Sequence, residues 1–221
     1  MVKFAASIMC ADQLALKNEL RNLEYAQIDM LHCDIMDGIF VSNLAMGPYI
    51  LEQIKENTNI PLDLHLATVT PEKYIEMFKH IKPQYISFHI ETVKEARRTI
   101  DLIKNEDIKA AIAISPLTPI ESISELIGEV DMINFMTVNP GFSGQKINQT
   151  AVNKLLQLKE LCYKNDIYPL IEVDWCINKD TIPTLLERGA NVFVLGTSSI
   201  FNSDNRSYHE KIMELRSFVN N

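Results

Sequence analysis

Short apolar runs alternate with amphipathic segments along the whole chain of 221 residues. We predict β-strands near 3–8, 29–35, 61–66, 84–89, 109–114, 131–136, 168–173 and 191–195. Strands that alternate with helical segments indicate parallel βα units, because each crossover helix returns the chain to the same edge of the sheet. Eight such units predict an α/β fold, a single (β/α)8 barrel (TIM barrel) that forms one domain over residues 1–221.

A doubly wound open sheet is the competing architecture, and it predicts a glycine-rich loop after the first strand. Ser7-Ile8-Met9 is not followed by such a loop, which favours the barrel. The first helix is predicted over 12–26 with Asp12 as its N-cap, because Leu16, Leu20 and Leu23 share one face. Further helices are predicted over 149–164, 181–188 and 205–219, with Gly189 as a stop signal for the second of these.

The composition restricts the possible partners and the cellular location. No run approaches the ~20 apolar residues that span a bilayer, and the N-terminal residues lack the apolar region of a signal peptide. The net charge is −8 and no basic block is present, which argues against nucleic acid as a partner. None of the four cysteines forms a C-x-x-C pair, so we predict reduced thiols. Together with the missing apolar run and signal peptide, this predicts a cytoplasmic protein with no membrane partner.

Histidine and aspartate side chains occur at the ends of several predicted strands, where the active sites of barrels lie. His32 and Asp34 are two residues apart, so they point to the same side of their strand. Together with His65 and Asp174 they form a candidate site for one divalent metal ion: zinc, manganese, cobalt or iron, with magnesium less expected. The alternative is that each residue has a separate structural role, such as a core histidine or a helix cap.

Other strand ends and loops are candidates for substrate contacts. Ser7 ends the first strand, Gly141 to Gly144 lie in a glycine-containing loop, and Gly196 to Ser198 follow the last strand, where barrels often hold a phosphate. Ordinary turns are the alternative for both loops. Met36 and Met136 are also at strand ends and are predicted to line the cavity, although core filling is the usual role of methionine. His89 and Glu91 are assigned a structural role.

These segments resemble the ribulose-phosphate 3-epimerase family over nearly the whole chain. The H-x-D-x-M-D-G motif at 32–38 and the M-T-V-x-P-G-F-x-G-Q motif at 136–145 are together highly specific. The segment Gly-Thr-Ser-Ser-Ile-Phe-Asn at 196–202 looks more like the allulose-6-phosphate 3-epimerase branch than the pentose-phosphate branch. The other matching pieces are Ser7-Ile8, Ile39-Phe40-Val41, Asp63-Leu64-His65, Phe88-His89 and Ile171-Glu172-Val173-Asp174.

The resemblance implies an isomerase of the EC 5.1.3 type that inverts carbon 3 of a phosphorylated ketose through an ene-diolate. Asp34 and Asp174 match the acid and base of the family, and the metal ligands match His32, Asp34, His65 and Asp174. The resemblance also implies a homo-oligomer and a ketose-phosphate substrate, of the allulose 6-phosphate or the ribulose 5-phosphate type. The positions expected to bind substrate are Ser7, His65, Gly141, Phe142, Ser143, Gly144, Trp175, Cys176, Gly196, Thr197 and Ser198.

The chain departs from the family pattern beside the expected cavity. Ala67 replaces a methionine two residues after the metal histidine, which predicts a larger pocket there. Trp175-Cys176 replaces Gly-Gly or Gly-Ser, where the backbone would approach the phosphate closely.

Two other functions stay open at this point. One is a related barrel lyase or decarboxylase, whose D-x-K-x-x-D pattern would require lysine where this chain has His65. The other is a non-catalytic sugar-phosphate-binding protein, which only Trp175 supports.

Overall fold

The computed structural model describes residues 2–137, 149–174 and 176–219. Within these residues, eight parallel strands close into a barrel, because β1 pairs with β9 on one side and with β2 on the other. The (β/α)8 barrel predicted from the sequence is therefore confirmed. The strands are Lys3–Ser7 (β1), Met30–Asp37 (β2), Leu44–Ala45 (β3), Leu62–Ala67 (β4), Tyr85–His89 (β5), Lys109–Ile114 (β6), Met132–Met136 (β7), Leu170–Asp174 (β8) and Val192–Leu195 (β9).

The barrel strands alternate between a face packed on helices and a face that fills the interior. In β2, Leu31, Cys33 and Ile35 are buried in the core between the strands and the helices. His32 and Asp34 lie on the opposite face, because successive side chains of a strand point to opposite sides. This explains why His32 and Asp34 interrupt an otherwise apolar strand at alternate positions.

The lower part of the barrel interior is closed by apolar side chains. These form a cluster separate from the main core: Ala5, Met30, Tyr85, Ala111, Met132, Val192 and Val194, with Leu170 packed against it. The upper interior instead holds the buried polar residues His32, Asp34, Asp63, His65 and Glu172. The barrel is thus a packed core at one end and a polar site at the other, as in other barrels of this type.

Helices follow most of the barrel strands. They are Leu16–Tyr25 (α1), Pro48–Asn57 (α2), Pro71–Phe78 (α3), Ala96–Lys104 (α4), Gln149–Lys164 (α5), Ile182–Glu187 (α6) and Tyr208–Ser217 (α7). Short 3-10 segments occur at Ile8–Cys10, Lys79–Ile81, Ile90–Thr92 and Ile120–Ile123. The last of these takes the place of an α-helix after β6, so the helical layer is thinner there than eight regular βα units would give.

One local expectation was wrong, and one short strand was not predicted. Asp12 is not the N-cap of α1: its carboxylate accepts the N–H of Leu14 at 2.9 Å in a turn, and Ala15 is the N-cap. The two-residue strand β3 pairs antiparallel with the end of β2 and was not predicted, because Leu44–Ala45 is too short to show a period. Gly189 does follow the helix that it was expected to stop, with φ at +106°.

Among the helices of the described residues, none is both long enough and apolar enough to cross a bilayer.

Candidate active site and metal centre

Four side chains from three strands converge at the top of the barrel interior. His32 and Asp34 come from β2, His65 from β4 and Asp174 from β8, and one potential ligand atom of each lies within 4.8 Å of the other three. Nδ1 of His65 is 3.0 Å from Oδ1 of Asp34, and Nε2 of His32 is 3.5 Å from the same oxygen. The four residues that the sequence singled out as metal ligands therefore lie together.

The donor set suits a divalent metal ion. Two imidazoles and two carboxylates are the ligands that zinc and similar first-row ions take in proteins. Nε2 of His32 is buried without a hydrogen-bond partner in the described part of the chain, yet it lies 3.7 Å from Oδ2 of Asp174. A buried polar atom normally has a partner, so an unpaired nitrogen that faces two carboxylates fits a position that a cation fills.

The charges in the site shift the pKa values of its members. Burial alone would lower the pKa of His32, but the carboxylates of Asp34, Glu172 and Asp63 outweigh it and raise that pKa well above its usual value. Burial would likewise raise the pKa of Asp34, but the nearby charge of His32 and the hydrogen bond with His65 hold it well below its ordinary value. Asp34 is therefore ionised, as a metal ligand or a general base must be.

A second group of polar side chains supports His32 from the side opposite its unpaired nitrogen. Asp63 Oδ2 lies 2.6 Å from Nδ1 of His32, and both side chains are fully buried. Glu172 Oε1 is 3.8 Å from the same nitrogen. Burial and the charges of Asp63 and Asp174 raise the pKa of Glu172 well above its ordinary value, against a lowering effect of His32. Asp63 thus accepts the Nδ1 proton of His32, so Nε2 is the nitrogen that would bind a metal ion once the ion displaces its proton.

A third group lies beside His65. His89 Nε2 is 3.0 Å from His65 Nε2, and His89 Nδ1 is 3.1 Å from Oε2 of Glu91. Burial lowers the pKa of His89 to about 4 although its contact with Glu91 acts in the opposite direction. Burial would raise the pKa of Glu91, but hydrogen bonds from His89, Thr118 and Ser115 outweigh it and lower the pKa to about 2. His89 is therefore neutral and Glu91 ionised near neutral pH.

The substrate-binding candidates in the described residues, other than His65, lie at or just after the ends of β1, β8 and β9. Ser7 is paired in register with His32, and its Oγ accepts the thiol of Cys10 at 3.6 Å. Gly196 follows β9, and its carbonyl accepts the backbone N–H groups of three residues in a turn. Ser198 donates its hydroxyl to the carbonyl of Ile177 at 3.0 Å, so it holds the neighbouring loop. Thr197 is exposed beside it.

The segment after β8 keeps a conformation that glycine favours. Cys176 has φ at +56°, in the left-handed region, although the sequence places cysteine there instead of the family's small residues. Its carbonyl accepts the hydroxyl of Thr181 at 2.8 Å, which fixes the turn into α6. Trp175 and the loop candidates Gly141, Phe142, Ser143 and Gly144 lie outside the described residues.

Methionine and alanine line one wall of the site. Met36 is 4% exposed and packs with Val41 and Ala67, while Met136 is fully buried at the end of β7. Met36 shares the strand parity of His32 and Asp34, and Met136 shares that of Met132, which packs in the barrel interior; that the two methionines line a substrate cavity stays a prediction. Ala67 is completely buried and is paired in register with Met36, so the smaller side chain is enclosed rather than open to solvent.

Asp63 and Glu172 lie beside His32 and were given no role from the sequence, whereas His89, which contacts His65, and Glu91 behind it were assigned only a structural role. A usable signal exists for two of them, because Asp63 and Glu172 stand two residues before His65 and Asp174 and share their inward face. His89 and Glu91 also have this spacing, but Glu91 lies in the 3-10 segment beyond β5, where the strand period no longer applies.

Comparisons with known proteins agree with the geometry. The sequence profile of the ribulose-phosphate 3 epimerase family matches residues 3–201. The chain is 39% identical over 219 residues to the ribulose-phosphate 3-epimerase of Bacillus subtilis strain 168, covering 98% of this chain and 99% of that protein. It is 38% identical over 204 residues to the ribulose-phosphate 3-epimerase of Methanocaldococcus jannaschii, covering 92% of this chain and 86% of that protein.

Solved structures support the fold. A mutant tryptophan synthase alpha-subunit from the hyperthermophile Pyrococcus furiosus superposes with a TM-score of 0.69 at 17% identity, covering 98% of this chain and 100% of that one. This likeness concerns the barrel architecture alone.

Proposed function

The chain belongs to the ribulose-phosphate 3-epimerase family and is a sugar-phosphate 3-epimerase, and from this premise we propose that it interconverts ribulose 5-phosphate and xylulose 5-phosphate by proton transfer between two aspartates. The pentose-phosphate substrate is supported by relatives at 38–39% identity that carry that name. Family membership also argues against the lyase and the non-catalytic sugar-phosphate-binding protein that the sequence left open.

The convergence of Asp34 and Asp174 carries this proposal. Their strands, β2 and β8, are separated in the barrel by β1 and β9, yet the two carboxylates approach the same buried histidine, with oxygens 3.5 and 3.7 Å from Nε2 of His32. Carboxylates that reach one point from different strands can stand on opposite sides of a planar substrate carbon. Inversion requires this arrangement, because a proton must leave one face of the carbon and return to the other.

We assign the metal-binding role to His32, Asp34, His65 and Asp174. A divalent ion held there supplies Lewis-acid stabilisation of the negative charge that develops on the substrate's carbonyl oxygen. Asp63 holds His32 in the tautomer that presents Nε2 to the site.

The two aspartates divide the proton transfer between them. The ionised Asp34 accepts the proton from carbon 3 on one face, and the substrate becomes a planar ene-diolate. Asp174, in its protonated form, returns a proton to the opposite face, and the roles reverse for the opposite epimer. The high burial of both side chains limits the access of water during the transfer, and the proton that Asp174 delivers is taken up from solvent between turnovers.

The phosphate group is assigned to the turns that follow β8 and β9. The left-handed turn at Cys176 and the turn at Gly196 to Ser198 directly follow the strand ends where barrels often hold a phosphate. Backbone N–H groups bind phosphate without requiring net positive charge, which is consistent with a chain of net charge −8. The candidate positions Gly141 to Gly144, Phe142 and Trp175 complete the proposed substrate-binding set.

An isotope-exchange experiment in D2O tests the acid–base pair. The wild-type chain should incorporate deuterium at carbon 3 while it inverts ribulose 5-phosphate, detected by NMR. Asp174→Asn should keep the fold and lose inversion, with a loss of about 100- to 10,000-fold from the missing proton transfer. Full turnover in this variant would contradict the assignment of Asp174.

The control must separate proton transfer from metal binding. Asp101→Asn makes the same chemical change at an exposed position of α4 and should leave the rate unaltered. Metal content is measured for every variant by atomic emission. An inactive Asp174→Asn that retains its metal would support the acid–base role, whereas inactivity that metal restores completely would contradict it.

The hexose analogue is the second candidate, and the segment Gly196 to Asn202 with its likeness to allulose-6-phosphate 3-epimerases favours it. Assaying allulose 6-phosphate and ribulose 5-phosphate side by side distinguishes the two, because the preferred substrate has the larger kcat/KM.

Two properties of the whole chain belong to the same proposal. Residues 1–221 form one catalytic domain, and copies of the chain associate as a homo-oligomer. A single cooperative unfolding transition and a multiple of the 25.2 kDa chain mass in light scattering are the expected results.

A further inference from the structure

We propose that Glu91 and His89 are positioning residues that fix His65 in one tautomer, with its Nδ1 lone pair directed into the candidate metal centre. This inference rests on the metal site of the proposed function. It adds a role for two residues that the acid–base mechanism leaves unused.

The three side chains form a continuous line of contacts away from the site. Nδ1 of His65 faces Oδ1 of Asp34 at 3.0 Å, and Nε2 of His65 faces Nε2 of His89 at 3.0 Å. Nδ1 of His89 then lies 3.1 Å from Oε2 of Glu91. Both histidines are buried, and only Glu91, with a side chain 25% exposed, reaches the surface.

The chemistry of Glu91 determines the direction of the hydrogen bonds. An ionised carboxylate only accepts, so Nδ1 of His89 must carry the proton of their contact. His89 is completely buried, which disfavours a charged ring, and an uncharged imidazole that donates from Nδ1 presents an unprotonated Nε2. The facing Nε2 of His65 must therefore donate, and His65 is left with an unprotonated Nδ1. That nitrogen is the one that lies closest to Asp34.

A count of protons gives the same result. The two inner contacts, between the histidines and between His89 and Glu91, each take one proton, and the proton between the histidines is the one on Nε2 of His65. Nδ1 of His65 then faces Oδ1 of Asp34 at 3.0 Å. A metal ion bound at this centre would use both atoms as ligands, which requires Nδ1 of His65 to be unprotonated.

Glu91 is itself held in place by the loop that follows β6. Its Oε1 accepts the backbone N–H of Ser115 at 2.8 Å and the hydroxyl of Thr118. Lys154 of α5 donates to the carbonyls of Pro116 and Thr118, which secures that loop. All of the contacts to the Glu91 carboxylate are from donors, so an amide at this position would oppose at least one of them.

A merely structural role would have different consequences. The ring of Phe40 lies 4.6 Å from the ring of His89, so His89 also contributes to packing. Packing alone would make substitutions at His89 costly for stability, but it would not make zinc affinity depend on the charge of Glu91. The tautomer of His65 is the property that distinguishes the two roles.

Zinc affinity of the full chain is the first measurement, made by competition with a chromophoric chelator. Glu91→Gln should lower zinc affinity by about 10- to 100-fold, the usual effect of removing an outer partner of a ligand histidine. Glu125→Gln is the matched control, since it removes the same charge from a side chain that is 83% exposed on the neighbouring segment. Equal affinities of the two variants would overturn the proposal, as would a wild-type chain that binds no zinc.

A double-mutant cycle shows whether Glu91 acts through His89. His89→Phe keeps the ring against Phe40 and removes the acceptor for His65, and it should weaken zinc binding by itself. The double variant of Glu91→Gln and His89→Phe should be little weaker than His89→Phe, because the second residue of one line has no further effect. Losses that simply add would overturn the proposal. His89→Gln, whose amide oxygen can accept from His65, should restore part of the affinity.

The tautomer is read directly by two-bond 1H–15N NMR of the zinc-loaded chain, which has five histidines. We expect His65 to carry its proton on Nε2 in the wild type and to lose this single form in Glu91→Gln. A protonated Nδ1 in the wild type would overturn the proposal. These readouts do not use epimerase activity, so a failure of the proposed reaction with an intact zinc site and tautomer would be recognised separately.

Discussion

Replacing the carboxylate of Asp63 by an amide should weaken metal binding at the candidate site while the barrel stays folded. Within residues 2–137, 149–174 and 176–219, the candidate ligand that Asp63 contacts closely is His32. Oδ2 of Asp63 lies 2.6 Å from Nδ1 of His32, and neither side chain is exposed. Asp63→Asn keeps the shape of the side chain and removes its charge.

The size of the effect follows from this one contact. A hydrogen bond to a charged group contributes ~1.5–3 kcal/mol when it is formed in a protein interior. Loss of the outer partner of a ligand histidine lowers metal affinity by ~10- to 100-fold, which corresponds to ~1.4–2.7 kcal/mol. The two ranges overlap, so most of the energy of the contact between Asp63 and His32 should be lost from metal binding.

The assay is a competition titration of Zn2+ between the protein and a chromophoric chelator, with circular dichroism to verify the fold. Asp101→Asn, an exposed change of the same kind on α4, is the control. Equal zinc affinities of Asp63→Asn and Asp101→Asn would refute the reasoning, because the buried contact would then have no influence on His32.

Three further predictions follow from the structure. Removal of the metal by a chelator should abolish epimerisation, and zinc, manganese or cobalt should restore it; an unchanged rate after verified metal loss would contradict the role of the site. Ala67→Met should lower the free energy of unfolding by ~1–3 kcal/mol, because position 67 is completely buried against Met36, and an unaltered urea midpoint would show that space is available there. Gly189→Ala should cost ~1–2 kcal/mol in the same urea experiment, because φ is +106° and a Cβ would lie 3.0 Å from Cβ of Lys159; equal stability would mean that the turn relaxes.

The sequence predicted the barrel because the signal for it is periodic and repeated. Each of the eight parallel barrel strands lies within a few residues of its predicted range, and α5, at Gln149–Lys164, has the bounds predicted for it. Local details were less predictable where several groups compete for one backbone N–H. Asp12 is an N-cap candidate by type, yet its carboxylate forms a turn with Leu14 instead, and the helix begins later. The absence of a regular helix after β6 also depends on tertiary packing rather than on the local pattern.

The candidate metal ligands could be named from the sequence, but the residues that hold them in place could not. His32, Asp34, His65 and Asp174 are recognisable because chemically reactive residue types at strand ends are unusual. Glu91 supports His65 through an intervening histidine, and this contact depends on the loop after β6, which brings Ser115 and Thr118 to the carboxylate. No spacing in the sequence contains that information, because the residues involved are more than twenty positions apart.

The register between β2 and β4 determines which histidine meets which carboxylate. One strand carries His32 and Asp34, the other carries Asp63 and His65, and the strands pair so that His32 is opposite Asp63 and Asp34 is opposite His65. The two strands thereby form two histidine–carboxylate pairs at successive levels, with contacts of 2.6 and 3.0 Å. A slip of one residue would turn one strand's polar residues into the helix-facing core, where Leu31 and Leu64 now pack. The apolar residues at alternate positions therefore maintain the catalytic geometry as well as the stability of the barrel.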